Sequence, residues 1–599
     1  MPLNIEDYAL ISDCHSAGLV GLDGSIDWLC LPRYDSPSMF GALLGDEEHG
    51  RWLVAPEEAG ATSTRVYDGD TFILKTLWTT STGQVEVIDL MPHGDRRADV
   101  VRRVRGVSGS VPIVQDLRIR FDYAAVVPWV RQLQDEPVHG LIAVAGPDAV
   151  IVRGPKLKAE DHRHVSHFTV KAGETVDIQM TWYPSHRPTP GPVDIDAACE
   201  KTAAWWNGWA RSFNRDGAFQ DAVVRSMLVL RALTHESTGG IAAAATTSLP
   251  ESFGGSRNWD YRYVWLRDAS LTLEVLLSHG YEVEAEDWRN WLLRAIAGDP
   301  HDVQIMYGLA GERYLPEREI TTLPGYRGAS PVRVGNGAVN QFQSDVIGEV
   351  MVALHAARSA GVKETQFSWP LQRSLLSFLE QNWRRPDQGI WEVRGPAREF
   401  THSRVMVWAA FDRAVRGVTE FGLPGPLARW TEIRDEVRRE IEDRGFNRER
   451  NTYTQYFDGD EVDAALLVLP QVGFCAPTDP RMLGTVAALE ADLLQDGLLL
   501  RYQTHASVDG LPPGEYPFLA CSFWLVEQYA TSGRNDDAHA LMTRLVGFAN
   551  DVGLLSEEYD VIGGRQAGNT PQALSHLALV RASDALAAGS RSPTQMVAQ

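Results

Sequence analysis

Two short segments each set a carboxylate beside an aromatic ring just ahead of a predicted helix: Gly389-Ile390-Trp391-Glu392-Val393-Arg394-Gly395 and Gly553-Leu554-Leu555-Ser556-Glu557-Glu558-Tyr559-Asp560. A carboxyl packed against an indole loses hydration, which favours its neutral form and keeps a proton available near neutrality. A second, ionised carboxyl can activate water or attack carbon. One of each is the equipment for cutting a glycosidic bond. Glu392 fits the proton donor, its plainer alternative being a cap on the helix that follows. Glu557 and Glu558 are adjacent, so one is expected to face the site while the other caps or pairs nearby. Spacing does not choose between them.

A third segment, Asn258-Trp259-Asp260-Tyr261-Arg262-Tyr263-Val264-Trp265, is dense in rings and hydrogen-bonding groups and runs into Arg267-Asp268. An Asp at a helix start is often only a charge complementing the helix dipole. Here the mixture suits a pyranose, whose hydroxyls take bidentate polar partners and whose apolar face takes a flat ring. Other rings, such as Trp78, Trp430 and Trp524, read as plain core.

The elements that must position these residues fall into two halves. Up to about residue 190 the apolar pattern is short and alternating, as in Thr71 to Trp78, Gln84 to Asp89 and His167 to Val170, with Gly, Pro and Asp turns between. This predicts an antiparallel β-sandwich, with a hairpin over residues 16–32 turning through two residues, Asp23-Gly24. Four prolines between Pro184 and Pro192 end it. A linking helix is expected over 194–212, carrying Trp205, Trp206 and Trp209.

Twelve helical segments follow, near 217–235, 267–279, 283–297, 345–360, 367–383, 399–416, 426–444, 459–470, 479–494, 516–532, 535–549 and 571–587. Odd-numbered members are amphipathic, with stripes such as Trp430-Ile433-Val437-Ile441 and Phe219-Val223-Met227-Leu230. Even-numbered members, such as Leu271 to Leu277 and Val405 to Phe411, are apolar almost all round and must be enclosed by protein. Six enclosed helices alternating with six half-exposed ones describe an (α/α)6 barrel. The expected division is a β-sandwich over 1–190, a linker helix within 191–215, the barrel over 216–590 and a tail over 591–599. Inner helices of such a barrel run one way, so the segments preceding them converge at one end: Trp265 to Asp268, Trp391 to Arg394, Tyr456 to Asp458, Glu515 to Phe518 and Glu557 to Tyr559. Aromatic and acidic residues gather in one funnel.

Composition narrows the partners. The 599 residues carry 79 acidic against 56 basic side chains, a formal charge of −23. That balance repels nucleic acid and anionic membrane surfaces and leaves a neutral or cationic small molecule as the partner. The N-terminus lacks a basic segment leading into an apolar stretch, and no run is long and apolar enough to span a bilayer, so a cytoplasmic location is expected. Cys14, Cys30, Cys199, Cys475 and Cys521 match neither a zinc site nor a redox pair, and are expected to be mostly buried, reduced thiols. No metal-ligand cluster is evident.

At these residues the chain resembles glycoside hydrolase family 15, the glucoamylase and trehalase family, and within it the bacterial members with a trehalase-like N-terminal domain. The likeness spans essentially the whole chain. It rests on Gly21 to Arg33 at the front, Trp259 to Asp268, Gly325-Tyr326-Arg327-Gly328, Pro331 to Asn336, Ile390 to Gly395, Pro517 to Cys521 and Gly553 to Asp560. The resemblance implies an inverting, exo-acting hydrolase releasing β-glucose, with Glu392 matching the general acid and Glu557, first of its pair, the general base. It implies that Arg267 and Asp268 grip the terminal glucose, with Tyr261 and Trp265 as rings beside it, Arg501 and Tyr502 a further sugar-contacting pair, and Arg333 nearby; Trp391, beside Glu392, is a further expected substrate-binding residue. Ser344 stands where an apolar residue is expected and Ile347 where an aromatic one is common, both on the expected funnel wall. The trehalase-like front implies trehalose as substrate, with maltose, isomaltose or longer α-glucans as the alternative. A disaccharide phosphorylase and a catalytically silent glucan-binding protein are two further readings. No cofactor is required, although some trehalases of this architecture respond to phosphate or Mg2+. A homo-oligomer remains open.

Overall fold

A computed structural model describes residues 2–94, 97–133, 139–211, 213, 217–504 and 509–589. The expected tail over 591–599 lies outside the described residues.

The first half is antiparallel β-structure. Its organising element is the 21-residue strand Ala98–Arg118, long enough to serve two groups of strands. Its first part pairs with Gly83–Leu90 and Thr175–Pro184, and its last part with Arg51–Pro56 and Arg163–Lys171. The two groups share one core that includes Trp28, Trp52, Leu74, Val87, Val104 and Ile113. The expected hairpin forms between Ala17–Gly21 and Ser25–Cys30. Its connection is three residues, not two: Gly24 holds φ +82° at the third loop position and donates to Gly21 O at 2.9 Å, a geometry glycine accepts without cost.

The second half is helical: α1 (Ile195–Ala210), α2 (Gln220–Leu233), α3 (Leu266–Ser278), α4 (Glu282–Ala295), α5 (Asp345–Ser359), α6 (Ser368–Asn382), α7 (Thr401–Phe421), α8 (Leu427–Arg444), α9 (Val468–Gln471), α10 (Pro480–Leu493), α11 (Leu519–Thr531), α12 (Asn535–Val546) and α13 (Ala573–Gly589). α8 buries the predicted stripe of Trp430, Ile433, Val437 and Ile441 and little else. By contrast α5, α7, α11 and α13 are buried on nearly every side. α3 touches α5, α5 touches α7, α7 touches the turn at Ala464–Leu467 and α9, that turn touches α11, α11 touches α13, and α13 touches α3. The enclosed helices thus close on themselves, with α4, α6, α8 and α12 packed against members of the ring.

Three expectations are corrected. The predicted helix at 459–470 is a 3-10 turn, Ala464–Leu467, running into the four-residue α9. Asp463 caps that turn by accepting from Ala465 N, so the helix cannot begin earlier. α7 runs on to Phe421, where Gly422 at φ +66° takes the left-handed closing position. α2, predicted amphipathic, is almost wholly buried because it is clamped between α13 and the β half, where Arg225 donates to Thr71 O at 2.9 Å.

The rings assigned to the core, Trp78, Trp430 and Trp524, are buried. Four of the five cysteines are buried, Cys199 is half-buried, and all five are free. Among the described residues no helix is long and apolar enough to cross a membrane.

Candidate active site

The run 258–265 is shared between two surfaces. Trp259, Tyr261 and Trp265 line a pocket at the N-terminal ends of α3, α11 and α13. Asp260 and Arg262 point the other way and are fully buried as a pair at 2.7 Å. From there the Arg262 guanidinium reaches into the β half, donating to Ser36 O at 2.8 Å and Tyr123 Oη at 2.9 Å. The β half therefore clamps the strip that carries the site rings. Trp28 adds a second clamp, donating to Ala245 O at 3.0 Å.

The pocket is ringed by aromatic side chains (Trp259, Tyr261, Trp265, Trp391) alternating with charged and hydrogen-bonding ones. Arg267 and Asp268 sit on its wall at the start of α3, joined at 2.7 Å. Arg267 also donates to Ile390 O at 2.5 Å, tying α3 to the Glu392 loop. That loop is a tight turn: Glu392 N donates to Gly389 O and Val393 N to Gln388 O, both at 3.1 Å. Glu392 itself has φ +57°, an uncommon conformation for a non-glycine residue. Gln341 holds its carbonyl at 3.2 Å, and the indole N–H of Trp265 donates to its carboxylate. Burial pushes the Glu392 carboxyl above the usual range, while the Arg267 charge and the Trp265 hydrogen bond hold part of that rise back.

Glu557 and Glu558 are both fully buried. Glu558 opens the short strand Glu558–Asp560, and the two carboxylates stay close, with an oxygen of each within 4.8 Å of the other, but take different partners. Glu557 accepts from Tyr261 Oη at 2.6 Å and from Asn569 N at 3.3 Å. Glu558 accepts from Tyr516 N at 3.0 Å and lies 3.6 Å from Arg501. Both carboxyls are pushed up, first by burial and then by the nearby Glu251 carboxylate, with Arg501 opposing. Gly568, at φ +74°, lies against Glu557: a Cβ there would come within 2.6 Å of its side chain.

The remaining expected residues divide. Trp391 lines the pocket and is fixed by donating to Asp463 at 2.8 Å. Arg501 and Tyr502 line it too, with Arg501 bound to Glu251 at 2.8 Å and Glu515 at 2.6 Å, and Tyr502 donating to Asp509 at 3.0 Å. Glu557 stands one layer back, reaching the pocket through Tyr261. Arg333 also lies behind the wall, where its guanidinium stacks 4.6 Å from the Trp259 ring and donates to Ser256 O at 2.8 Å. Ser344 is not on the wall at all: its N–H and hydroxyl both go to buried Asp387. Ile347 lines a neighbouring groove instead. Tyr456 turns away as well, donating to Glu461 at 2.7 Å.

Arg394 and Phe518, in segments expected to converge on the funnel, and Asn336, in a family motif, line the pocket although no role was assigned to them, while Glu251 and Arg257 were missed. Arg257 sits one residue before the conspicuous run and so had a faint signal. Glu251, in the loop Leu249-Pro250-Glu251-Ser252, had none.

Paired carboxylates held by rings beside a pocket of rings and charged groups suit the glycoside hydrolases, and known proteins agree. Residues 217–584 match the model for glycosyl hydrolases family 15, and residues 1–179 match the model described as trehalase-like, N-terminal. A trehalase of Mycobacterium tuberculosis is 37% identical, the match covering 96% of this chain and 89% of that protein. A trehalase of Thermoplasma volcanium is 32% identical over 96% of this chain and 92% of its own. A bacterial glucoamylase solved with acarbose superposes with a TM-score of 0.73 at 12% identity, covering 98% of this chain and 94% of that one. The protein is a glycoside hydrolase acting on O-glycosyl bonds. Within that class, the chain belongs to glycosyl hydrolases family 15.

Proposed function

We propose that this chain is a trehalase, splitting trehalose into two glucose molecules by single displacement and releasing β-glucose from the attacked unit. The observation that carries the proposal is the bridge Glu392–Trp265–Tyr261–Glu557. One carboxylate accepts from the indole, the other from the phenol, and the two rings meet edge to face with centroids 5.4 Å apart. Opposite ends of a two-ring bridge suit the roughly 6.5–9.5 Å that inversion needs to seat a water between acid and base, rather than the ~5 Å of double displacement.

In this reading a non-reducing α-glucosyl unit enters against Arg267 and Asp268. Glu392, whose neutral form burial favours, gives its proton to the glycosidic oxygen. Tyr261 faces the developing oxocarbenium charge, and Glu557, in the ionised form that fills as pH approaches its raised pKa of about 8, draws a proton from water at the Tyr261 edge of the pocket. Trp391, Arg501 and Tyr502 complete the sugar-binding wall, with Arg333 bracing it through Trp259. The chemistry uses carboxylates and water and calls for no cofactor. The closed ring of helices is read as an (α/α)6 barrel over 216–590, joined to the β-sandwich of 1–190 by the helix within 191–215. Trehalose as substrate is supported by the trehalase relatives, which match nearly end to end. Glucoamylase-type hydrolysis of maltose or isomaltose is the second reading, favoured by the glucoamylase fold likeness.

The test is to incubate the protein with trehalose, maltose, isomaltose and starch, with and without phosphate, and follow the first-formed anomer by NMR. Trehalose turnover giving equal first-formed amounts of β-glucose, from the attacked unit, and α-glucose, from the leaving unit, is expected. First-formed α-glucose without the β anomer would end the inverting mechanism, glucose 1-phosphate would make the chain a phosphorylase, and no turnover of any sugar would leave a binding protein.

A further inference from the structure

Five carboxylates crowd one side of the pocket wall: Glu251 from the loop before the ring-rich run, Glu557 and Glu558 from the hairpin before α13, and Asp509 and Glu515 from the segment before α11. Among the described residues, only two guanidiniums, Arg257 and Arg501, are paired with them. Tyr261, Tyr502 and the Cys521 thiol of α11 are further titratable groups facing this cluster. Two cations cannot neutralise five anions, so the group retains protons, and which carboxylate keeps them depends on the neighbours.

Glu251 occupies the decisive place. It is 2% exposed yet lines the pocket, whereas Glu557 does not. One oxygen accepts from Arg501 at 2.8 Å and the other from the Trp259 indole at 3.1 Å. An oxygen of Glu251 lies within 4.8 Å of one on Glu557 and one on Glu558. Its backbone is pinned on both sides, with Glu251 N donating to Arg257 O at 3.1 Å and Tyr516 N to Glu251 O at 3.0 Å. Two neighbours on the same stretch, Ser248 at φ +58° and Gly254 at φ +77°, take left-handed conformations as the chain bends through this loop.

We propose that Glu251 is a positioning residue for the hydrolysis, holding Arg501 and Trp259 in the pocket wall and setting a negative charge beside Glu557. The inference rests on Glu557 being the base. Its consequence is a like-charge neighbour that makes Glu557 grip protons more strongly, as a base working on water requires, while the same carboxylate fixes two pocket-lining side chains.

The experiment compares pH profiles of kcat/KM for wild type, Glu251→Gln and Glu251→Asp on trehalose, with thermal unfolding as a check on folding. In Glu251→Gln the acidic limb should move to lower pH by roughly one unit, because Glu557 loses its proton more readily, and KM should rise several-fold as Arg501 loses an anchor. Glu251→Asp keeps the charge but shortens the reach, so KM should rise with the acidic limb close to wild type. It carries the test alone if the Gln variant does not fold. An unmoved limb in a folded Gln variant, or a limb displaced downward in the Asp variant, overturns the proposal. Turnover lost at every pH in Glu251→Gln and restored by azide would make Glu251 the base itself, overturning both readings. Azide rescue of Glu557→Ala beside an unmoved limb in Glu251→Gln would sink this inference alone.

Discussion

Tyr261 donates its phenol hydrogen to Glu557 at 2.6 Å, from a ring that meets Trp265 edge to face, and Trp265 in turn donates to Glu392. Two glutamates 165 residues apart in the chain (557 − 392) are thereby positioned by ring residues only four apart. Tyr261→Phe keeps the ring and removes the donor. A hydrogen bond to a charged group is worth about 1.5–3 kcal/mol, so kcat/KM on trehalose should fall roughly 10- to 150-fold. The acidic limb should rise in pH, because that hydrogen bond favours the ionised form of Glu557. Unchanged kinetics would remove Glu557 from the mechanism.

Glu392→Gln keeps the shape of the turn and removes the proton. General acids contribute about 10²- to 10⁴-fold, and kcat should drop within that range while calorimetry still detects trehalose binding. Full activity would mean that another group is the acid.

Trp265→Phe withdraws the donor that helps Glu392 ionise, so the carboxyl should hold its proton to higher pH. The basic limb of the kcat/KM profile should move up. A downward movement would place the acid elsewhere.

Gly568→Ala puts a methyl against Glu557 at a left-handed backbone position. Conformational strain and overpacking each cost about 1–3 kcal/mol, and Tm and kcat should fall together as the base is displaced. A lowered Tm with wild-type kcat would show that Glu557 can shift without consequence.

Glu557 also couples stability to pH. Its folded pKa lies above the ordinary 4.5, so between those values the folded chain keeps a proton that the unfolded chain has lost, and stability falls as pH rises through that window. Glu557→Gln escapes this cost. It should melt above wild type at pH 7, with the gap closing as pH drops below about 4.5. Equal Tm values at pH 7 would show that the buried carboxyl is not strained in the fold.

Much of this was legible in the chain itself. Alternation of apolar residues marked the β half, and the 3.6-residue period marked eleven of the twelve helices within a few residues, because burial of one face is a local pattern. The eighth failed at Asp463, where a side-chain cap, invisible to periodicity, fixed the start. The segments 259–268 and 390–395 stood out because rings and charges rarely concentrate without a ligand to bind.

What the chain could not state was direction in space. Glu557 and Glu558 are the same residue type side by side, and only the fold gives one the Tyr261 hydroxyl and the other the Tyr516 amide. Arg333 and Tyr456 looked like site residues by motif and by position, yet packing turned both away from the pocket. Glu251 had no signal at all, since its role exists only once three distant loops close around it. Residue type and period are properties of a segment and survive in sequence, whereas which side chains share one low-dielectric pocket is set by the closure of the whole ring of helices.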